Sequence, residues 1–275
     1  MNASFINGPS GRLFCLTRDP VGMRQGHPAV LIVPAFAEEQ NKSRALVADL
    51  SRALCSIGLS TIQFDLSGTG DSEGDFSEAT WEIWKSDVLA VSDWARGSGY
   101  DIQAMLGVRL GACLCTDFIA TSGIAPRTLV FVQPVTNPAL FVKQFLRLRV
   151  ANSMVSGSHP ETVSGLLEEA ESGKTLSVAG YDLNPELISA LRSVKFADAA
   201  AHKVKNVLWF EVTRSSDSDE VSTASKAVLD RLVNAGVSVT ALAAPGEPFW
   251  TATEIVRNQP LVSAIATAAA GTLPS

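Results

Sequence analysis

The run Met105-Leu106-Gly107-Val108-Arg109-Leu110-Gly111-Ala112-Cys113-Leu114-Cys115 constrains the fold of this chain more than any other stretch. An apolar strand leads into two glycines four residues apart, and a helix-forming run follows. Small residues at both positions let the backbone turn sharply from strand to helix. In the pattern Gly-x-Ser-x-Gly such a turn exposes a nucleophilic serine at the end of a sheet. Arg109 stands where that serine would be. A guanidinium stays protonated in proteins and cannot attack a carbonyl. Nothing in the backbone geometry of the turn requires serine, so the turn is expected with or without the chemistry.

The flanking sequence supplies the rest of a parallel sheet. "RLFCLTRDP" (12–20) reads as an early strand, and "PAVLIVPAF" (28–36) as a continuous apolar strand covered on both faces. Asn41 is expected to cap a helix in which Val47, Leu50, Leu54 and Ile57 recur at helical steps until Gly58. "STIQFDL" (60–66) is the next strand. A second amphipathic helix carries Trp81, Trp84, Val88, Val91 and Ala95 on one face, and the two tryptophans read as helix-packing residues. "IQAMLGV" (102–108) and "RTLVFVQPV" (127–135) flank the helix after Arg109. Strand and helix thus alternate regularly, as in a parallel sheet covered by helices.

That rhythm breaks between about residues 136 and 202. Helical segments dominate there, "GKTLSVAGYDL" is ambiguous, and a helix starts at Asn184-Pro185. The pattern resumes with "VKNVLWFEVT" (204–213), a helix around 221–235, "VSVTALAAP" (237–245) and a closing helix near 258–270. We therefore expect a mostly parallel sheet covered by helices, and the elbow-like turn at Arg109 together with the loops at the same sheet edge resembles an α/β-hydrolase fold. Its core would run over 1–135 and 203–275, with a small helical cap insertion over 136–202.

Composition narrows the function classes. A net charge of −6 without a basic stripe argues against a nucleic-acid role. The apolar runs fall short of the roughly 20 residues that cross a bilayer. The start has no basic segment followed by an apolar one, so no secretory signal is expected. The four cysteines lack metal-ligand spacing and read as buried thiols of a reducing compartment, hence a cytoplasmic location. Neither a metal nor a cofactor is implied, and oligomeric state is open.

Ligands in open α/β sheets bind at the strand ends that carry the βα loops. Those loops are "PAFAEEQNKSR" (34–44), "DLSGTGDSEGDF" (65–76), the Arg109 turn, "TRSSDSDEVS" (213–222) and "PGEPFWTATEI" (245–255). In this architecture an oxyanion would be held by backbone N–H groups near Phe36 or Ala37 and at Leu110. "GTGDSEG" is not a dinucleotide fingerprint: it opens no helix directly, and Asp71, Glu73 and Asp75 would repel a pyrophosphate.

Read as text, "PAFAEEQNKSR", "DLSGTGDSEGDFSEATWEIW", "GVRLGA" and "GEPFW" resemble the exosortase A system-associated hydrolase of the second type. That family accompanies bacterial exopolysaccharide and protein-sorting loci. The resemblance covers residues 28–115 well and 245–255 fairly well, and little of the insertion. It implies a pathway and a fold-based hydrolase label, and an elbow arginine belongs to the family pattern.

The residues themselves argue against a Ser-His-Asp triad. The loop that should carry its histidine, "PGEPFWTATEI", has none. His27 and His202 precede strands and belong at the far edge of the sheet, while His159 lies in the insertion. Asp217 or Asp219 could supply the acid, or could simply favour a helix start. Arg109, at a helix N-terminus, would make the pocket floor attract anions. If buried it needs a counter-charge, and Glu38, Glu39 and Glu247 are the candidates.

Three roles for Arg109 stay open on this evidence. It could form a structural salt bridge in a dead pocket, or hold an acidic or acyl small-molecule ligand beside Phe249 and Trp250. It could also position substrate for an ester or thioester hydrolase or acyl-transfer enzyme that uses Glu38 or Glu39 as general base. In the cap, "KQFLRLRV" places Lys143, Arg147 and Arg149 near an apolar stripe. Solvated charges are the plain reading there, and a membrane-surface or partner-binding face the alternative.

Overall fold

Long apolar runs such as "AVLIV" (29–33) and "TLVFV" (128–132) form the middle of the sheet, where both faces are covered. A computed structural model describes residues 1–22, 26–155, 161–196, 203–214 and 220–273. In chain order the strands β1 (Asn2–Asn7), β2 (Arg12–Arg18), β3 (His27–Val33), β4 (Ser60–Phe64), β5 (Tyr100–Val108) and β6 (Thr128–Val132) come first. Two short strands, β7 (Leu176–Val178) and β8 (Tyr181–Leu183), lie in the insertion, and β9 (Asn206–Thr213) and β10 (Ser238–Pro245) follow it. The main sheet has the order β1-β2-β4-β3-β5-β6-β9-β10. β1 and β2 pair antiparallel, as do β2 and β4, and every other neighbouring pair is parallel.

Helices α1 (Glu38–Ser56) and α8 (Gln259–Thr272) cover one face, around Leu46, Leu50, Leu261 and Ile265. Helices α2 (Trp81–Gly97), α3 (Leu110–Ser122) and α7 (Thr223–Asn234) cover the other, around Trp81, Trp84, Phe118 and Leu232. Both α2 tryptophans are buried, as helix-packing residues should be.

One sequence expectation needs correction, and two segments the sequence left open take definite form. Asn41 does not cap α1. The chain leaves β3 so abruptly that Ala37 is the N-cap, at φ 50° and ψ −129°, and Glu38 and Glu39 form the first turn. Both acids there favour the positive end of the helix dipole. The first strand, β1, was not evident, since its burial alternates and its residues are mostly exposed. Finally, "GKTLSVAGYDL" forms the hairpin β7–β8. Ala179 and Gly180 both take positive φ at its tip, as a two-residue hairpin turn requires.

The segment between β6 and β9 also holds helices α4 (Pro138–Val155), α5 (Val163–Glu171) and α6 (Pro185–Ser193). It joins the core through an aromatic cluster at the end of β3. The Phe36 ring meets Phe76 and Trp84 from the core and Phe141 and Phe145 from α4, with edge-on centroid distances of 5.2–5.9 Å. Two polar contacts fasten the same seam. Tyr181 Oη donates to Glu38 Oε2 at 3.2 Å, and Asn184 Nδ2 to the Ser77 carbonyl at 3.0 Å.

Candidate functional site

Arg109 sits between β5 and α3 with φ 55° and ψ −119°, a left-handed conformation that strains a residue bearing a Cβ. Packing enforces the turn. A Cβ on Gly107 would come within 2.4 Å of the Ala112 Cα, and one on Gly111 within 2.4 Å of the Pro34 carbonyl oxygen. The backbone is tied to β6, with Arg109 N–H donating to the Val132 carbonyl at 3.0 Å. Leu110 opens the helix, so its N–H belongs to the unpaired first turn of α3.

The guanidinium is enclosed on three sides. It binds Glu39 through both carboxylate oxygens, Nε to Oε2 at 3.1 Å and Nη2 to Oε1 at 3.0 Å. Nη1 donates to the Gln133 carbonyl at 3.1 Å. The ring of Trp250 lies 4.6 Å from the guanidinium carbon, a cation–π contact. Arg109 is 13% and Glu39 17% exposed, so the pair is largely withdrawn from water. Burial pushes the Glu39 carboxyl above its ordinary range, and the charge and hydrogen bonds of Arg109 pull it back.

Of the three acids offered as partners, Arg109 therefore takes Glu39. Glu38 turns instead to Asn41 and Tyr181 at the cap seam. Glu247 is exposed. Phe36 and Ala37 are buried, Phe36 within the aromatic cluster and Ala37 as the strained helix cap. Phe249 is buried and stacks edge-on against Trp250 at 5.1 Å. Asp217 lies outside the described residues, as do Asp219, His159 and His202. His27 opens β3, at the opposite end of that strand from Ala37 and the Arg109 turn. The cleft between Phe36, Trp84, Leu110 and Leu114 has room for about one water.

Gln133 escaped the sequence reading. It adopts φ 47° directly after β6, accepts from Arg109 through its carbonyl and from Val212 N–H through Oε1 at 2.7 Å. The only signal was its place between an apolar strand and Pro134. Two buried carboxylates organise the neighbouring loop. Asp65 accepts from Gln40 Nε2 at 2.5 Å and Asp71 N–H at 3.0 Å, and Asp87 accepts from Ser67 N–H and Oγ at 2.8 Å each. Burial raises both carboxyls, Asp87 to about 6. Among the described residues no cluster of His, Cys, Asp and Glu could hold a metal ion, and no helix is long and apolar enough to cross a membrane.

Solved structures share this architecture over nearly the whole chain. A ferulic-acid complex of Est1E from Butyrivibrio proteoclasticus superposes with a TM-score of 0.68 at 16% identity, covering 98% of this chain and 97% of that one. The chain has the α/β-hydrolase fold. Mouse alpha/beta hydrolase domain-containing protein 10 superposes with a TM-score of 0.58 at 14% identity, over 98% of this chain and 96% of the mouse one. Among curated proteins, the mitochondrial palmitoyl-protein thioesterase ABHD10 of Bos taurus is 30% identical over 125 residues. That match spans 45% of this chain and only 38% of the bovine protein. The human counterpart is 34% identical over 89 residues, spanning 32% of this chain and 27% of that protein. No protein-family model matches the chain.

Within the α/β-hydrolase fold, three features at the strand ends now have a common explanation. The elbow residue is Arg109, the loop that should carry the histidine delivers Trp250 onto its guanidinium, and the oxyanion-side loop delivers Glu39 to its two nitrogens. Beside them, Phe36 packs edge-on against the α4 rings of Phe141 and Phe145.

Proposed function

We propose that this chain is a non-catalytic α/β-hydrolase-fold protein, a cytoplasmic binding or accessory component of the bacterial exopolysaccharide and exosortase A system. The bidentate Arg109–Glu39 pair under Trp250 carries the non-catalytic part of this reading. It removes the nucleophile and occupies the carboxylate nearest the elbow. The pathway rests on the resemblance of the βα loops, and the compartment on four free cysteines.

An active enzyme would have to use Glu39 as a general base, freeing it from two hydrogen bonds to a cation. A relative named as a thioesterase and a fold neighbour named as a carboxyl esterase make acyl esters and thioesters the substrates to try. An acidic ligand would have to displace Glu39 from Arg109, at the N-terminus of α3. The test is turnover of an acyl-ester and thioester panel by wild type, Arg109→Ala and Glu39→Gln. All three are expected to match the buffer blank. Wild-type turnover that Glu39→Gln abolishes would overturn the non-catalytic reading and establish a carboxylate mechanism.

A further inference from the structure

Helix α4 carries three cations and no Asp or Glu in 18 residues, in a chain whose 28 acidic residues outnumber its 22 basic ones. Its inner side packs through Phe141, Val142 and Leu146. Its outer side is not the plain polar surface expected of such a helix. Leu140 is 45%, Leu148 51% and Met154 67% exposed, and Lys143, Gln144, Arg147 and Ala151 are exposed beside them. At about 100° per residue these seven positions fall within an arc of roughly 140°. Apolar and cationic side chains are thus interleaved on one face.

The charges on that face are uncommitted. Arg149, which points away from this arc, pairs with Glu161 at 2.5 Å. Of the three α5 acids, Glu169 and Glu171 are held by Lys174 and Arg192, and the exposed Glu168 pairs with neither Lys143 nor Arg147 among the described residues. Among the described residues no ion pair joins Lys143 or Arg147 to an acid.

We propose that the outer face of α4 docks on an anionic lipid surface, with Leu140, Leu148 and Met154 entering the headgroup boundary and Lys143 and Arg147 meeting lipid phosphates. The chemistry favours a membrane over a protein groove. Exposed apolar side chains gain from the acyl boundary while flanking cations gain from the negative surface potential. The chain as a whole is anionic and would be repelled, so this acid-free helix also sets which side approaches. Docking this way needs no catalysis and is independent of whether the elbow pocket is silent.

The test is sedimentation of the full chain with vesicles of phosphatidylcholine alone and of phosphatidylcholine with 30% phosphatidylglycerol, near 0.1 M salt. Binding is expected only to the anionic vesicles. Lys143→Gln/Arg147→Gln should weaken it about 30-fold, at roughly fivefold per cation. Leu148→Ser/Met154→Ser should weaken it as well, and both pairs lie on the surface, so wild-type circular dichroism and melting are expected. No preference for anionic vesicles, or binding unmoved by either pair, would overturn the proposal. Absence of vesicle binding together with saturable, α4-dependent binding of an acidic protein would replace it with a protein interface.

Discussion

Removing the guanidinium of Arg109 should do more damage than removing an ordinary surface arginine. In Arg109→Ala, Glu39 keeps its enclosure but loses both hydrogen bonds, the Gln133 carbonyl loses a donor, and Trp250 loses the cation against its face. Breaking a buried pair by deleting one partner costs about 3–5 kcal/mol, and the residual exposure of this pair favours the lower end, ~3 kcal/mol. The cost must depend on pH. Burial already raises the Glu39 carboxyl in the intact pair, and without Arg109 nothing comparable pulls it back. A raised carboxyl is no burden below its ordinary unfolded value, where it is protonated in both states. Its penalty appears as pH rises through the folded value. The difference between wild type and Arg109→Ala should therefore be small near pH 4 and reach its full size near pH 7. Urea unfolding at both pH values measures it, with a midpoint shift of about 1 M expected at pH 7. Adding Glu39→Gln to Arg109→Ala should recover much of the loss. Equal losses at pH 4 and 7, or strict additivity in the double variant, would refute the buried-pair argument.

Two further outcomes follow from the same physics. Asp87, buried and raised to about 6, should make its contribution to stability largest below its ordinary value and lose it as pH rises through 6. The span is up to about 3 kcal/mol; unfolding of wild type and Asp87→Asn between pH 4 and 7 should show a slope in the first that is absent in the second, and identical slopes would count against it. Gly107→Ala and Gly111→Ala each force a Cβ within 2.4 Å of neighbouring backbone, so each should lower stability by several kcal/mol. A thermal melt within 3 °C of wild type for either would show that the turn is less tightly packed than described.

The parallel core was legible because several of its strands contain unbroken apolar runs and its covering helices keep a helical period. β3 and β6 announce themselves in "AVLIV" and "TLVFV". The turn at Arg109 was legible for a different reason, since two glycines at fixed spacing between strand and helix leave few alternatives. The partner of Arg109 was not. Glu38 and Glu39 are adjacent on one helix turn, and only the abrupt start of α1 at Ala37 decides which points to the elbow and which to the cap. Gln133 was invisible because its role is played by a carbonyl, which every residue possesses. β1 and the β7–β8 hairpin escaped because a half-exposed edge strand and a three-residue strand hold too few apolar positions to set a period.

The turn at residue 109 is maintained by its glycines and by the strand beside it, and not by the side chain it displays. Form and reactivity are therefore separable here. A backbone of this shape will superpose on esterases whatever group it presents at its apex, because the shape is what sheet and helix need in order to join. The turn can be read from the glycines at 107 and 111; chemistry can be read only from the residue between them.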